Sequence, residues 1–307
     1  MTENLVVSVP GSTLMGALGA VPDGVELIEW DMSGPAPVGT IDIVVPPYMG
    51  TTSKLAALAS VTTRLVQSQS IGFDGVEAVL PPGHVFANAA SVHETSTAEL
   101  TLALILASQR GIPNFVRAAE QGHWAPERTA SLADRIVLIV GYGGVGRAIE
   151  ERLLPFETTV VRVASHARDD ERGRIHGIDE VSHLLPHADI VVIGVPLNGS
   201  TERLVDDRFL SLMPDGALLV NIARGRVADT DALLDHAARG RLRLALDVTD
   251  PEPLPEGHPL FALPNVLISP HVGGASTAMM PRMARLLHRQ IERMRAGDAP
   301  LNVVLRS

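Results

Sequence analysis

The 307-residue chain contains no cysteine. This absence excludes disulfide bonds, thiolate catalysis and metal or iron–sulfur sites that depend on cysteine. Aromatic residues make up only 3% of the chain, which argues against the base-stacking surfaces of proteins that bind single-stranded nucleic acids. Basic residues are also in the minority, since 25 Lys and Arg against 35 Asp and Glu give a net charge of −10. We therefore expect no nucleic acid and no anionic membrane as the main partner.

Long apolar runs are missing as well, and the first residues carry no signal-type apolar core. We expect a cytoplasmic protein with no membrane partner. No metal site is expected either, because Pro186 separates the best-spaced histidines, His183 and His187, and no carboxylate cluster lies nearby. The remaining composition, 46% hydrophobic and 20% charged, is typical of a soluble globular protein with room for about two domains.

The most informative motif is the glycine turn GYGGVG, residues 141–146. It follows the apolar run of residues 136–140 and opens a helical pattern. In a strand, turn and helix of this kind, Gly141 permits the tight turn and Gly143 lets the backbone approach a pyrophosphate. Gly146 allows close packing of helix on strand, and the helix N-terminus attracts negative charge. The context predicts a dinucleotide site.

Strand and helix patterns alternate along most of the chain. The predicted strands are Leu5–Val9, Ile41–Val45, Arg64–Gln67, His84–Ala87, Ile136–Val140, Thr158–Val163, Ile190–Ile193, Ala217–Asn221, Leu242–Asp247 and Val266–Ser269. The predicted helices are Ser53–Ser60, Thr95–Gln109, Val145–Leu154, Asp229–Arg239 and Thr277–Met294. Apolar strands separated by helices indicate an α/β fold with parallel sheets. We expect the last helix to return to the first 90 residues, whose sheet lacks an obvious covering helix.

The end of the second strand after the glycine turn bears on the choice of cofactor. A fold specific for NAD places an acidic residue there, against the ribose hydroxyls. This chain has Ala164, followed by Ser165, His166 and Arg168. A hydroxyl, an imidazole and a guanidinium are suited to a 2′-phosphate. We favour NADP over NAD, the alternative being a solvated loop with an ordinary arginine.

Three later segments follow predicted strands and carry groups suited to reducing a carbonyl beside a carboxylate. They are NIARG with Arg224, DVTDPEPL with Glu252, and SPHVGG with His271. Arginine would grip the anion and histidine would give a proton, while a neighbouring carboxylate favours the imidazolium form. Taken singly, each residue also fits a solvated loop, a turn or a surface ion pair.

Together, these motifs resemble the signature series of the D-isomer-specific 2-hydroxyacid dehydrogenases. The resemblance extends to Ser70-Ile-Gly-Phe-Asp74, similar to that family's loop for the substrate carboxylate, and to Val195-Pro-Leu197, similar to its cofactor-side loop. It covers the chain from about residue 40 to Val304.

The resemblance implies a catalytic set of Arg224, Glu252 and His271. It implies substrate contacts by Ile71, Gly72 and Tyr48, beside Arg224. Together with the ribose-side residues named above, Ser165, His166 and Arg168, it gives a set of expected cofactor contacts. The others are Tyr142, Gly143, Gly144, Val145, Gly146, Val195, Pro196, Thr201, Ile222, Ala223, Asp247 and Gly273. One departure is Gly194, where the family often has histidine.

The resemblance also implies two Rossmann-like domains. Residues 1–96 and 276–307 would form a discontinuous substrate-binding domain, and residues 97–275 the dinucleotide-binding domain. A homodimer would be built largely on the helices that follow His93. Since the chain stops at Ser307, we expect no regulatory domain of the kind found in some phosphoglycerate dehydrogenases.

The expected function is NAD(P)H-dependent reduction of a 2-oxoacid to a D-2-hydroxyacid, with NADPH preferred and glyoxylate or hydroxypyruvate as candidate substrates. Two alternatives stay open. One is a dinucleotide-sensing regulatory protein on the same scaffold, like the corepressors of this family. The other is oxidation of a hydroxyacid such as 3-phosphoglycerate, for which Lys54 and Arg64 are the nearby basic residues.

Overall fold

The computed structural model describes residues 4–48 and 50–307. The chain divides into two compact units. Unit 1 joins the residues up to His93 with Ser276–Ser307, and unit 2 is Glu94–Ala275. The boundary expected between residues 96 and 97 lies inside the first helix of unit 2.

Unit 1 contains a six-stranded sheet. Its strands are β1 (Leu5–Val9), β2 (Val25–Glu29), β3 (Ile43–Val44), β4 (Leu65–Gln67), β5 (Val85–Ala87) and β14 (Val303–Arg306). They lie in the order β14-β5-β4-β3-β1-β2, with β14 antiparallel to β5 and the other pairs parallel. The helices are α1 (Ser12–Leu18), α2 (Thr51–Lys54), the 3-10 helix Leu55–Ser60 and α9 (Met279–Ala296).

Helix α9 packs on this sheet together with α1. Its apolar residues recur three or four positions apart, so Met283, Leu287 and Ile291 share one face and are fully buried. They contact the core that contains Val7 and Leu65. The helix ends at Gly297, which adopts a positive φ of 75°. The last helix therefore covers the sheet of the first 90 residues, and α1 does so as well.

Unit 2 contains an eight-stranded sheet and most of the helices. Its strands are β6 (Ile136–Val140), β7 (Thr159–Ala164), β8 (Arg168–Asp170), β9 (Gly173–Gly177), β10 (Ile190–Ile193), β11 (Leu218–Asn221), β12 (Arg243–Leu246) and β13 (Val266–Ile268). Its helices are α3 (Glu94–Gln109), α4 (Ile112–Glu120), α5 (Gly144–Leu153), α6 (Val181–Leu184), α7 (Asp207–Leu212) and α8 (Thr230–Ala238). Short 3-10 helices cover Leu154–Phe156, Ile178–Glu180, Leu185–His187, Gly225–Val227 and Pro259–Ala262.

The strand order of unit 2 is β13-β12-β11-β10-β6-β7-β9-β8. Strand β8 runs antiparallel to β9, and the other pairs are parallel. Strands β10 and β11 are buried along their whole length, as expected for parallel strands covered on both faces. The order reverses between β6 and β10, and such a switch point opens a crevice at the carboxyl edge of the sheet. The predicted α/β class with two largely parallel sheets is confirmed.

Several elements differ from the sequence-based prediction. Predicted helices and strands shift by one or two residues at their ends, and Ser53–Ser60 is α2 followed by a 3-10 helix. Helices α1, α4, α6 and α7 and strands β2, β8, β9 and β14 were not predicted. Glycines at 11 and 16 weaken the helical pattern of α1, and β8 consists of Arg168, Asp169 and Asp170, without apolar alternation. Among the described residues, no helix is long and apolar enough to cross a membrane.

We expect Leu287→Ala to lower the free energy of unfolding by about 2–5 kcal/mol, because it empties a fully buried site between α9 and the sheet of unit 1. Arg285→Ala, at an exposed position of the same helix, should change it by about 0.5 kcal/mol or less. Urea unfolding measures both variants. Equal effects would contradict this account of α9.

Candidate functional site

The glycine turn lies at the switch point, immediately after β6. Gly141 has a φ of 108°, and a Cβ atom there would lie 2.5 Å from the carbonyl of Gly194, which follows β10. A Cβ on Gly146 would lie 2.7 Å from the carbonyl oxygen of Gly141. By contrast, a Cβ on Gly143 would meet nothing within 4 Å. Packing thus requires Gly141 and Gly146, while Gly143 leaves open space at the turn.

The N-terminus of α5 faces the same turn. Its N-cap is Gly143, which has no side chain with which to cap the helix, and its first turn carries no acidic residue. The first N–H groups of a helix have no partner within the helix and attract anions. This terminus, with open space at Gly143, fits the pyrophosphate of a dinucleotide.

Tyr142, inside the glycine turn, points into the protein. Its backbone N–H donates to the carbonyl of Val163 at 2.9 Å. Its ring is 5% exposed, and its hydroxyl donates to the carboxylate of Glu150. The side chain and the backbone N–H of Tyr142 are therefore both engaged by the protein, and the open space of the turn lies at Gly143.

Ser165 and His166, which follow β7, and Arg168, which begins β8, are all exposed. The Nη2 atom of Arg168 donates to the carbonyl of Tyr142 at 3.2 Å, and Nη1 lies 3.5 Å from the carbonyl of His166. Within residues 4–48 and 50–307, no carboxylate pairs with Arg168. The neighbouring arginines differ, because Arg172 pairs with Glu150 and Glu151, and Arg174 with Glu180. Arg168 thus keeps a positive charge at the carboxyl edge.

The turn after β11 carries Arg224. Asn221 shapes this turn: its Oδ1 accepts from the N–H of Ala223 at 3.1 Å, and its Nδ2 donates to the carbonyl of Arg224 at 3.2 Å. A Cβ on Gly225 would lie 1.8 Å from the carbonyl oxygen of Thr249, so this turn packs directly on the loop after β12. Arg224 is half-buried, and its Nη1 donates to the carbonyl of Ala223 at 2.7 Å.

Asp247, at the end of β12, organises the turn that follows β13. Its carboxylate is 3% exposed. It accepts from the Ser269 hydroxyl at 2.7 Å and from the N–H groups of Val272 and Gly273, each at 2.9 Å. Its carbonyl accepts from the N–H of His271 at 2.8 Å. These bonds hold His271 at a φ of 53°, a conformation that non-glycine residues rarely adopt.

His271 and Glu252 form a pair. The Nδ1 atom of His271 lies 2.5 Å from Oε1 of Glu252, and both side chains remain about two-fifths exposed. With Nδ1 engaged, Nε2 is the ring nitrogen left to exchange a proton with a ligand. Arg224, Glu252 and His271 follow the neighbouring strands β11, β12 and β13. The structure therefore brings the three predicted loops to one edge of the sheet.

The loop after β10 carries Val195, Pro196 and Thr201. The Thr201 hydroxyl donates to the carbonyl of Pro196 at 2.6 Å and accepts from the N–H of Asn198 at 2.9 Å. This loop begins at Gly194, next to the glycine turn. Ile222 and Ala223 are buried behind the Arg224 turn, so they contribute backbone more than side chain to the surface.

In unit 1, two of the predicted substrate residues share a cavity of about 160 Å³. Tyr48 and Gly72 line it together with Ser68, Ser70 and Asp74. Ile71 is beside it in sequence, and its carbonyl accepts from the Asn88 amide at 2.9 Å. The ring of Tyr48 stacks on His93 with centroids 5.6 Å apart.

Sequence reasoning missed a buried charged cluster behind the glycine turn. Arg162 of β7 contacts Glu150 of α5, Asp170 of β8 and the ring of Tyr142. The signal was present, since Arg162 interrupts the apolar strand Val160-Val161-Arg162-Val163. It also missed Asn221, whose side chain bonds to the backbone of the turn that follows it, and Ser269, whose role depends on its contact with Asp247.

The chain is similar to proteins of one known family. The family model of the D-isomer specific 2-hydroxyacid dehydrogenase, NAD binding domain, matches residues 102–273. A glyoxylate reductase of Pyrococcus horikoshii is 30% identical over 256 residues, which are 79% of this chain and 76% of the relative. The human glyoxylate reductase/hydroxypyruvate reductase is 29% identical over 269 residues, 82% of each chain.

Among solved structures, a D-isomer specific 2-hydroxyacid dehydrogenase from Xanthobacter autotrophicus, in complex with NADPH and MES, superposes with a TM-score of 0.84. It is 26% identical, and the match covers 99% of this chain and 98% of that one.

The glycine turn allows a matched test. Gly143→Ala should leave the free energy of unfolding near wild type, because its φ of −108° suits alanine and its Cβ meets open space, yet it should weaken dinucleotide binding. Gly141→Ala should lower stability by at least about 1–3 kcal/mol through strain and collision. Urea unfolding and titration of NADPH and NADH fluorescence measure the two properties. Unchanged dinucleotide binding in Gly143→Ala would contradict the assignment of the pyrophosphate to the glycine turn.

Proposed function

Because the chain belongs to the D-isomer-specific 2-hydroxyacid dehydrogenase family, we propose that it reduces a small 2-oxoacid, glyoxylate or hydroxypyruvate, to the D-2-hydroxyacid with NADPH. The observation that carries this proposal is the His271–Glu252 pair at 2.5 Å, on the same sheet edge as the Arg224 turn. A dinucleotide supplies the hydride when bound at the glycine turn.

His271 acts as the proton donor to the carbonyl oxygen of the substrate. Glu252 holds Nδ1, so Nε2 is the ring nitrogen that presents the proton to the substrate. As the carbonyl carbon gains hydride, its oxygen gains negative charge, and the proton from Nε2 neutralises it. In the oxidative direction the neutral imidazole takes that proton back.

Arg224 binds the substrate carboxylate and polarises the carbonyl. A guanidinium presents parallel N–H groups that match a carboxylate. Because the Arg224 turn is pinned by Asn221 and packs on Thr249, the side chain starts from a fixed backbone, which favours orientation of the substrate. In unit 1 we assign substrate contacts to Tyr48, Ile71 and Gly72.

The dinucleotide contacts follow the carboxyl edge of unit 2. We assign the pyrophosphate to the backbone of residues 142–146 with Thr201, and the nicotinamide end to Asp247 and Gly273, with Val195, Pro196, Ile222 and Ala223 between them. NADPH is preferred because Arg168 carries a charge that no described carboxylate neutralises, beside Ser165 and His166.

A phosphorylated substrate fits the cavity of unit 1 poorly. Asp74 is the charged side chain among the residues that line this cavity within the described part of the chain. Lys54 instead donates to Ser33 at 2.5 Å, and Arg64 pairs with Asp42 at 3.5 Å. We therefore favour an unphosphorylated oxoacid over 3-phosphoglycerate.

We also propose a cytoplasmic homodimer that uses α4. None of the residues of this helix is buried, and Ile112, Val116 and the nearby Trp124 are 47%, 53% and 94% exposed. Apolar groups exposed together on one element are typical of an interface. The cytoplasmic location rests on the sequence alone.

The direct test measures oxidation of NADPH or NADH, as loss of the reduced-nicotinamide absorbance, in the presence of one 2-oxoacid at a time. The 2-oxoacids are glyoxylate, hydroxypyruvate, pyruvate, phenylpyruvate and 2-oxoglutarate. We expect turnover with the first two, and a kcat about 10²–10⁴-fold lower in His271→Ala with dinucleotide affinity retained. His183→Ala, at an exposed position, is the control. If the protein binds the dinucleotide but turns over none of these 2-oxoacids, the dinucleotide-sensing alternative is favoured. If His271→Ala keeps most of the activity, His271 is not the acid.

Cofactor preference has its own test. Arg168→Ala, alone and with His166→Ala, should weaken NADPH binding by about 10–100-fold, because a charge-assisted contact to the 2′-phosphate contributes about 1.5–3 kcal/mol. NADH binding should change little. Arg174→Ala removes an arginine of the same hairpin that already pairs with Glu180, and it should preserve the ratio of the two affinities. An equal loss for both dinucleotides in Arg168→Ala would overturn the assignment.

A further inference from the structure

Arg162 is a buried arginine in the middle of β7. The residue is 4% exposed and lies between valines on an apolar strand. A guanidinium in such a place is stable only when acceptors surround it, because its desolvation is unfavourable. The partners of Arg162 therefore indicate which parts of the fold this charge holds together.

The guanidinium of Arg162 contacts four separate parts of unit 2. Its Cζ lies 5.2 Å from the ring centroid of Tyr142 in the glycine turn. Its Nε lies 3.8 Å from the carboxylate of Glu150 in α5, and its Nη1 donates to both oxygens of Asp170 in β8, at 2.9 and 3.2 Å. Its Nη2 also donates to the carbonyl of Arg174 in β9 at 3.2 Å.

The carboxylates of this cluster accept several hydrogen bonds. Glu150 is 5% exposed and also accepts from the Tyr142 hydroxyl and from Nη1 of Arg172, the latter at 2.8 Å. Burial and the bond to Glu150 raise the pKa of Tyr142, so its phenol stays a donor. Desolvation alone would raise the pKa of Asp170, but bonds from the Arg172 N–H and from Arg162 outweigh it and lower that pKa. Arg162 and Arg172 thus face the carboxylates of Glu150, Glu151 and Asp170.

Two of the contacts that Arg162 makes outside α5, those with Asp170 and Tyr142, lead to Arg168. Asp170 lies two residues after Arg168 on β8, so the Arg162–Asp170 bonds hold the strand on which Arg168 stands. Tyr142 packs its ring on Arg162, and its carbonyl accepts from Arg168 at 3.2 Å. The glycine turn and Arg168 are therefore held by the same buried charge.

We propose that Arg162 is a positioning residue that sets the spacing between the glycine turn and Arg168, and thereby the preference for a 2′-phosphorylated dinucleotide. Arg162 itself does not contact the ligand and acts through Asp170 and Tyr142. This inference rests on the proposed role of Arg168, and the experiment separates the two.

The test uses Arg162→Met, which keeps most of the side-chain length, and Asp170→Asn, which loosens β8 and leaves Tyr142 and Glu150 intact. Titration of NADPH and NADH fluorescence gives the ratio of the two affinities, and competition by 2′,5′-ADP against 5′-ADP isolates the phosphate. We expect each variant to weaken NADPH and 2′,5′-ADP by about 10-fold or more, and NADH and 5′-ADP by less than about 3-fold. Asp170 is partly exposed, so its variant carries the test if Arg162→Met does not fold.

Arg243→Met is the matched control. Arg243 is a partly buried arginine on β12 of the same sheet, and its Nε donates to the carbonyl of Gly216. This substitution removes a structural arginine that lies away from the glycine turn. It should leave the ratio of the NADPH and NADH affinities at the wild-type value.

The outcomes are distinct. A wild-type ratio in both Arg162→Met and Asp170→Asn, with a changed ratio in Arg168→Ala, would overturn the role of Arg162 and leave that of Arg168 standing. An unchanged ratio in Arg168→Ala would overturn both. Equal weakening of NADPH and NADH in the Arg162 and Asp170 variants would reduce the cluster to a purely structural role.

Discussion

Parallel pairing of neighbouring strands is the constraint on which the candidate site of unit 2 depends. Parallel strands end at the same edge of a sheet, so the loops after β6, β10, β11, β12 and β13 meet there although their residues are far apart in sequence. These loops touch through backbone. Gly141 lies against Gly194 and Gly225 against Thr249, at separations that leave no room for a Cβ. Because Gly141 and Gly225 have no side chain, the loops pack closely at this edge and hold the functional groups in place.

Asp247 shows how one buried charge organises this edge. A buried carboxylate needs hydrogen-bond donors, and the turn after β13 supplies them from Ser269, Val272 and Gly273. The same turn holds His271 at a positive φ and brings Nδ1 to Glu252. The histidine–glutamate pair is thus a consequence of the Asp247 bonds as much as of its own attraction.

The arginines near the glycine turn divide into two groups by their partners. Arg162 and Arg172 are neutralised by Glu150 and Asp170 and stabilise the fold behind the turn. Arg168 bonds only to carbonyl oxygens among the described residues, so its charge faces outward in a chain whose net charge is −10. The overall composition of the protein therefore says little about the local field at the ligand edge, which individual ion pairs determine.

The sequence by itself determined the α/β class, the glycine turn, and the order of the loops that carry Arg224, Glu252 and His271, because apolar periodicity and turn residues act locally. It did not determine β8 or β9, whose polar residues lack a strand pattern, nor the start of α1, where glycines weaken the helical signal. Only the tertiary structure decided that Nδ1 of His271 meets Glu252, that Asp247 ties the last turn, and that Arg162 joins Tyr142 to Asp170. Those contacts depend on which strands lie side by side, and strand order is a property of the whole packed sheet.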